Sequence, residues 1–141
     1  MASIGRWPWS RNQIAFMLDN LFDYYQIAIV GIDIVFAERD ESSGLKVLEQ
    51  LGRRDLKNDA LYQNILPELR TQFDYNNLFV QKIKGRKVVL GYGFSSDPGR
   101  ITGALPPPVF TAKTLKAGNH FIEMTGYSAN LPELQNNAHN A

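Results

Sequence analysis

The stretch AIVGIDIVFAERDESSG, residues 28–44, joins a run of Ile and Val to an acidic loop. Its apolar residues follow one another instead of alternating with polar ones, which is typical of a strand covered on both faces. A second run of this character, KVVLGYGF at 87–94, is also followed by a polar stretch, SSDPG. We therefore predict two neighbouring parallel strands, one over 27–36 and one over 87–94.

A helix is predicted immediately before the first strand. Ser10 is a good N-cap residue, and Gln13 three positions later completes a capping box. Apolar residues then recur at the three- and four-residue spacing of one helix face, at positions 14, 17, 18, 21, 22 and 25. This pattern predicts an amphipathic helix that packs on a core.

About fifty residues separate the two strands, and they carry helical periodicity in pieces. We expect two or three helices there. Pro67 marks either a break or the first turn of a new helix, because its ring prevents a preceding helix from continuing. Asp74 is a candidate cap for the last helix, over 75–84, which Gly85 would end.

The segment after the second strand is rich in loops. Three consecutive prolines, 106–108, favour an extended conformation. A short strand is predicted over 120–126, and a short helix over 130–138 with Asn130 as its cap. Together these elements predict a single α/β domain over 1–141, with a three-layer architecture, a mostly parallel central sheet and helices on both faces.

Composition excludes several classes of function. The net charge of +1 is too small for the positive field on which nucleic-acid binding relies, so we expect no nucleic-acid partner. The chain has no cysteine, which excludes disulfides and thiolate metal sites. No phosphate-binding loop or nucleophile elbow is present, and His120 and His139 do not form a metal-ligand pair. We expect no cofactor.

Asp33 is the most informative candidate site residue, since a charge in a buried strand must be paired or hydrogen-bonded. Arg11 is a candidate partner, because a bidentate Arg–carboxylate pair holds such a charge well. Alternatively, Asp33 lies near the end of its strand, where α/β sheets place ligand crevices, and joins Glu38 and Asp40 around a divalent cation. We favour the structural role, with Glu38 and Asp40 exposed on the same rim.

The block GRWPWSR, residues 5–11, presents a similar choice. Trp7 and Trp9 either cover the core next to the helix cap or flank an apolar ligand. In the second case the basic residues Arg6 and Arg11, which bracket them, would contact an anionic group of that ligand.

Five segments together resemble a known family: SIGRWPWSR, VGIDIVFAERD, VVLGYGF, LPPPVF and GYSANLPEL, in this order. They are similar to the second type of CHASE domain, the bacterial sensory extracellular domains associated with cyclases and histidine kinases. The residues that match the family's motif positions are Trp7, Trp9, Arg11, Asp33, Glu38 and Asp40. The resemblance implies that these six residues form a candidate ligand-binding set, with no catalytic or metal-binding residue.

The resemblance also implies a location and partners. The domain would lie outside the cytoplasmic membrane, as a soluble part of a membrane-anchored bacterial protein that carries a cyclase or kinase output domain inside the cell. An undefined small molecule would be its signal. The family pattern usually begins with a strand before RWPWSR and continues past NLPEL, so we expect a fragment truncated at both ends.

We therefore predict a non-catalytic sensory domain. One alternative is a small metal-dependent hydrolase that uses Asp33, Glu38 and Asp40 around Mg²⁺ or Ca²⁺. Another is a homodimerisation element that uses the proline-rich segment or the tryptophan block as its contact.

Overall fold

The computed structural model describes residues 7–110 and 122–139, and the chain forms two compact units. The first unit contains Met1–Ile27 and Arg39–Lys84, and the second contains Ala28–Glu38 and Gly85–Ala141. The first is helical and the second contains the strands. The prediction of a single domain over 1–141 stays a prediction.

The first unit is built from helices. They are α1 (Arg11–Asp19), a π-helical segment (Asn20–Tyr24), α2 (Leu45–Arg53), α3 (Ala60–Phe73) and α4 (Tyr75–Ile83). The predicted capping box at the start of α1 is confirmed, because the backbone N–H of Ser10 donates to Gln13 Oε1 at 3.2 Å. The predicted cap of α4 is also confirmed, since Asp74 accepts a hydrogen bond from the Asn77 N–H at 3.0 Å. Gly85 follows α4 with φ of 76°, the left-handed conformation that glycine adopts readily.

The core of the first unit lies between α1 and α4, which pack against each other. The apolar face predicted for α1 supplies buried Ile14 and Leu18, and Ala15, which was not part of that prediction, is buried beside them. The facing helix supplies Phe79, Val80 and Ile83, of which Phe79 and Ile83 are fully buried. Burying side chains of this size stabilises a fold by roughly 1.5 to 3 kcal/mol each, before the entropy cost of ordering them.

The helices α2 and α3 approach each other closely at Gly52, where an added Cβ would lie 2.9 Å from Leu66 Cδ2. Tyr62 strengthens this pairing by donating its hydroxyl to the Leu48 carbonyl at 2.7 Å. Both predictions for Pro67 are wrong, because it lies inside α3 and neither ends nor starts a helix. Helix α3 continues past it because the proline removes only one backbone donor, and packing against α2 holds the rest.

The described residues of the second unit form two small sheets. Strand β1 (Val30–Ile32) pairs in parallel with β2 (Val88–Leu90), in a register that sets Val30 opposite Val88. The other sheet has the order β3-β5-β4, from strands Gly93–Ser95, Gly126–Ser128 and Ile101–Thr102. Its central strand is antiparallel to β3 and parallel to β4. A short helix, α5 (Pro132–Gln135), follows.

The parallel pairing of the two predicted strands is confirmed, and so is the mixture of helices and strands. A mostly parallel central sheet is not confirmed, since the described residues form one two-stranded parallel sheet and one mixed sheet. Both predicted strands are too long. The first shrinks to β1, and the second is divided between β2 and β3. Beyond the parallel pair, the side-chain amide of Asn130 accepts from the Phe36 N–H at 2.9 Å and donates to the Gly91 carbonyl at 3.0 Å.

Two predictions near the C-terminus need correction. The strand predicted over 120–126 is observed only from Gly126 onward, as β5, and residues 122–125 are not in a strand. Residues 120–121 lie outside the described residues. The predicted helix shrinks to α5, with Leu131 at its N-cap. Asn130 does not cap it because its side chain is fully buried and bonded to the chain beyond β1 and β2.

Candidate functional site

Arg11 is at the centre of a buried polar cluster in the first unit, although arginine is rarely buried. The residue is only 6% exposed, and its Nη1 donates to Asn76 Oδ1. Its backbone N–H donates to Asp40 Oδ2 at 2.6 Å. We name Arg11, Asp40 and Asn76 the Arg11 cluster.

Asp40 and Asn76 also bond to each other. The backbone N–H of Asp40 donates to Asn76 Oδ1 at 3.0 Å, and Asn76 Nδ2 donates to the Asp40 carbonyl at 3.4 Å. A single buried amide thus receives both the guanidinium of Arg11 and the backbone of the acidic loop. Such a shared acceptor fixes the loop against the two helices, because moving any one group leaves another unsatisfied.

Local structure explains why these three residues meet. Arg11 is the first residue of α1, and Asn76 is the second residue of α4. Since α1 packs along α4, their first turns carry both residues into one place. Asp40 comes from the loop before α2, and its carboxylate meets a helix N-terminus, where free N–H groups and the helix dipole favour a negative charge.

The environment of Asp40 favours its ionised form. Partial burial raises the pKa of the carboxyl group. The side chain and backbone of Ser42, together with the backbone N–H and the charge of Arg11, outweigh that effect and lower the pKa below the usual 3.8. The carboxylate is therefore charged at neutral pH.

The interpretation of Asp33 as a buried, paired charge is wrong. Its side chain is exposed, so the desolvation cost that seemed to require a partner does not arise. Arg11 instead bonds to Asp40 and Asn76, two residues of its own unit. The acidic residue that anchors Arg11 is therefore Asp40, seven positions further along the chain.

The other predicted site residues differ in exposure. Glu38 is exposed as expected, whereas Asp40 is half-buried. Trp7 is 58% exposed and so does not cover a core, while Trp9 is half-buried. The two rings meet edge to face, with centroids 5.8 Å apart. Whether any of the six residues binds a ligand stays a prediction.

Sequence reasoning missed Asn76, the acceptor that both other members of the cluster share. The only signal near it is Asp74, whose capping role places the next residues in the first turn of α4. An asparagine in such a turn is ordinary, and only the packing of α1 on α4 shows that this one is 5% exposed.

A polar cleft of about 260 Å³ adjoins the Arg11 cluster, with Asp40 and Asn76 in its wall. Ion pairs engage its charged residues. Lys46 pairs with Glu41, and Glu49 contacts Arg70 at 2.9 Å. The cleft is therefore a polar surface lined by side chains of both charges, some of which form ion pairs.

Over residues 7–110 and 122–139, no three Asp, Glu or His side chains are grouped so that they would hold a metal ion. The carboxylates of Asp33, Glu38 and Asp40 are therefore not part of such a group among the described residues. In the same two ranges, no helix combines the length and the hydrophobicity that crossing a bilayer requires.

Comparison with known proteins gives one match. No curated protein and no solved structure matches the chain. The family model for the CHASE2 domain, by contrast, matches residues 1–134, nearly the whole length. CHASE2 domains are extracellular sensory domains of signalling proteins. The resemblance inferred from the tryptophan block, the strand with its acidic loop and the NLPEL segment is confirmed: this chain belongs to the CHASE2 domain family.

Proposed function

We propose that this chain is a non-catalytic sensory module, the extracytoplasmic part of a bacterial membrane protein that carries a cyclase or kinase output domain. Membership of the CHASE2 family is the observation that carries this proposal. A small molecule outside the cell is the proposed signal. The absence of a carboxylate or histidine group for a metal ion in the described residues supports a binding role over metal-dependent hydrolysis.

A sensor of this kind acts by shifting an equilibrium between two arrangements of its parent protein. A ligand shifts such an equilibrium only by its difference in affinity for the two states, and a 1:99 to 99:1 change needs about a 10⁴-fold difference.

The residues proposed for ligand contact are Trp7, Trp9, Arg11, Asp33, Glu38 and Asp40. The geometry supports different roles within this set. Trp7 and Asp33 are exposed and accessible to a ligand. Arg11 and Asp40 hold the first unit together. Asp40 lines the polar cleft and is accessible to a ligand there, whereas buried Arg11 would act on that ligand through Asp40 and Asn76.

The location is tested with cysteine labelling, because the chain has no cysteine of its own. Leu61→Cys places a thiol on α3 at a position that is 79% exposed. In the full-length parent with its other cysteines replaced, a membrane-impermeant maleimide should label this thiol in intact cells. Leu66→Cys is the matched control, since Leu66 lies on the same helix but is 5% exposed and should react only after denaturation. Labelling of Leu61→Cys only after lysis would contradict the proposal.

The sensory role is tested by the output activity of the same parent protein. Asn76→Ala, which removes the shared acceptor of the Arg11 cluster, should change that output, whereas Asn77→Ala on the exposed side of α4 should not. Output that is unaffected by Asn76→Ala, in a protein still inserted in the membrane, would show that this domain does not control it.

A further inference from the structure

An apolar pocket of about 640 Å³ lies in the second unit. One side is formed by β2 and the chain after it, through Val89, Leu90, Tyr92 and Phe94. The other side is the proline-rich segment 105–109. This volume falls within the roughly 300 to 1,000 Å³ that is typical of small-molecule sites, which are mostly apolar with a few polar groups.

Charge restricts what the pocket can hold. Among the described residues that line it, none is Asp, Glu, Lys or Arg. An ionic ligand would lose hydration against these residues without meeting a permanently charged side chain, which disfavours its binding. The polar side chains among them are those of Gln135, His139 and Tyr92, so hydrogen bonds are available to an uncharged ligand.

The walls of the pocket are preformed. Three consecutive prolines fix the backbone φ angles of one wall, and so limit its freedom. On the opposite wall Tyr92 and Phe94 meet edge to face, with ring centroids 5.5 Å apart. A pocket that is rigid before binding loses less conformational entropy when a ligand enters.

The polar end is held as firmly. Gln135 is 5% exposed, and its Oε1 accepts a hydrogen bond from Asn130 Nδ2 at 3.3 Å. The backbone N–H of His139 donates to the Val88 carbonyl at 2.8 Å, which fixes that residue beside β2. Both residues therefore sit at defined positions in the wall of the pocket.

We propose that this pocket binds a small uncharged molecule with a planar apolar body and one hydrogen-bonding group. The rings of Tyr92 and Phe94 and the prolines contact the apolar body, and Gln135 or His139 contacts the polar group. This inference rests on the proposed sensory function only in treating the bound molecule as the signal. Binding to the pocket can be measured whether or not the chain is a sensor.

The test is a calorimetric titration of the 141-residue chain with β-naphthol, which has one planar ring system and one hydroxyl group. We expect saturable binding with a stoichiometry of one. The matched ligand is β-naphthoate, which has the same rings and a negative charge, and it should bind at least about tenfold more weakly. Equal binding of the two, or no saturable binding of β-naphthol, would overturn the proposal.

Variants locate the binding. Leu105→Asp and Val109→Asp each put a charge in the wall of the pocket, and each should weaken β-naphthol binding by at least about tenfold. Ile122→Asp is the control, because Ile122 is 84% exposed in the same unit and does not line the pocket. Val109 is 74% exposed, so Val109→Asp should fold even if Leu105→Asp does not. Unchanged affinity in Val109→Asp, or an equal loss in Ile122→Asp, would overturn the assignment.

Three further outcomes separate this proposal from others. If the chain dimerises and β-naphthol competes with the dimer, the occupant is a second copy and the small-molecule assignment is wrong. If Leu61→Cys is labelled in intact cells but β-naphthol does not bind, the pocket assignment is wrong and the proposed location stands. If β-naphthol binds but Leu61→Cys is labelled only after lysis, the proposed extracytoplasmic location is wrong and the pocket remains a binding site.

Discussion

The backbone N–H of Arg11 donates to Asp40 Oδ2 at 2.6 Å, although 29 positions separate the two residues in the sequence. This bond ties the acidic loop to the first turn of α1 within the first unit. The carboxylate occupies the place that an anion takes at a helix N-terminus. Part of the loop that looks like a candidate active site in the sequence therefore has an identifiable structural role.

The pKa of Asp40 predicts how the free energy of unfolding depends on pH. Because the folded-state pKa lies below the usual 3.8, the contribution of this carboxylate is fully present above that unfolded value and is lost as the pH falls through the folded value. We expect Asp40→Asn to lower stability by about 1 kcal/mol at neutral pH, a value reduced by solvent screening of this half-exposed group.

Melting temperatures of the chain and of Asp40→Asn, measured from about pH 7 down to about pH 2.5, check this expectation. The difference between the two proteins should shrink as the solution becomes acidic. A difference that is constant over the whole range would mean that the charge of Asp40 does not contribute.

Asn76→Ala should be the costliest single change in the Arg11 cluster. It removes the oxygen that accepts both from Arg11 Nη1 and from the Asp40 N–H, and it leaves a buried guanidinium without that acceptor. Hydrogen bonds to charged groups contribute roughly 1.5 to 3 kcal/mol, so we expect a loss of about 2 to 3 kcal/mol in urea unfolding. The neighbouring Asn77→Ala, at an exposed position of the same helix, should change stability by less than about 0.5 kcal/mol. Similar losses in both variants would argue against the cluster.

Asp33→Ala tests the corrected role of the strand carboxylate. Since Asp33 is exposed, its replacement should change the free energy of unfolding by no more than about 0.5 kcal/mol. Had the residue been a buried charge, the loss would be roughly 3 to 5 kcal/mol. Chemical denaturation distinguishes these values easily, and a loss of the larger size would restore the anchoring interpretation.

Local signals in the sequence predicted several helix ends correctly, although those at Pro67 and Asn130 misled. Ser10 with Gln13, Asp74 and Gly85 marked helix ends correctly, because capping depends on residues a few positions apart. The Ile- and Val-rich runs likewise predicted the parallel pair β1 and β2, since buried parallel strands require such residues.

Contacts distant in sequence could not be predicted. An apolar run at 27–36 indicates a strand but does not show that Asn130, 94 positions after Phe36, takes over the backbone hydrogen bonding there. In the same way, nothing near Arg11 in the sequence shows that its guanidinium bonds to Asn76, 65 positions away. Such pairings depend on how helices and strands pack against each other, and that packing cannot be deduced from a single sequence.

Gly126 is predicted to be irreplaceable in β5. An added Cβ would lie 2.0 Å from the Asp97 carbonyl oxygen, and a backbone atom cannot move aside as a flexible side chain can. We expect Gly126→Ala to destabilise the fold by about 3 kcal/mol or more through overpacking. Gly93→Ala, in the neighbouring β3, meets nothing within 4 Å and should be neutral or stabilising by about 0.5 kcal/mol. Thermal melts compare the two, and equal losses would show that the close approach at Gly126 is not what matters.

Asn130 offers the sharpest test of the second unit, because its fully buried amide both accepts and donates. Its Oδ1 accepts from the Phe36 N–H, while its Nδ2 donates to the Gly91 carbonyl and to Gln135 Oε1.

Asn130→Asp keeps the shape of the side chain but turns the donating end into an acceptor that faces two other acceptors. Burial and these neighbours raise the pKa of the new carboxyl group. Its protonated form can donate to the Gly91 carbonyl, whereas its ionised form can only accept. The variant should therefore lose about 3 kcal/mol or more at neutral pH and recover part of that loss as the pH falls toward about 4.5. Asn136→Asp, at the exposed end of α5, should show neither effect. A loss in Asn130→Asp that does not depend on pH would mean that this side chain fills space in the second unit without holding the chain past its two parallel strands.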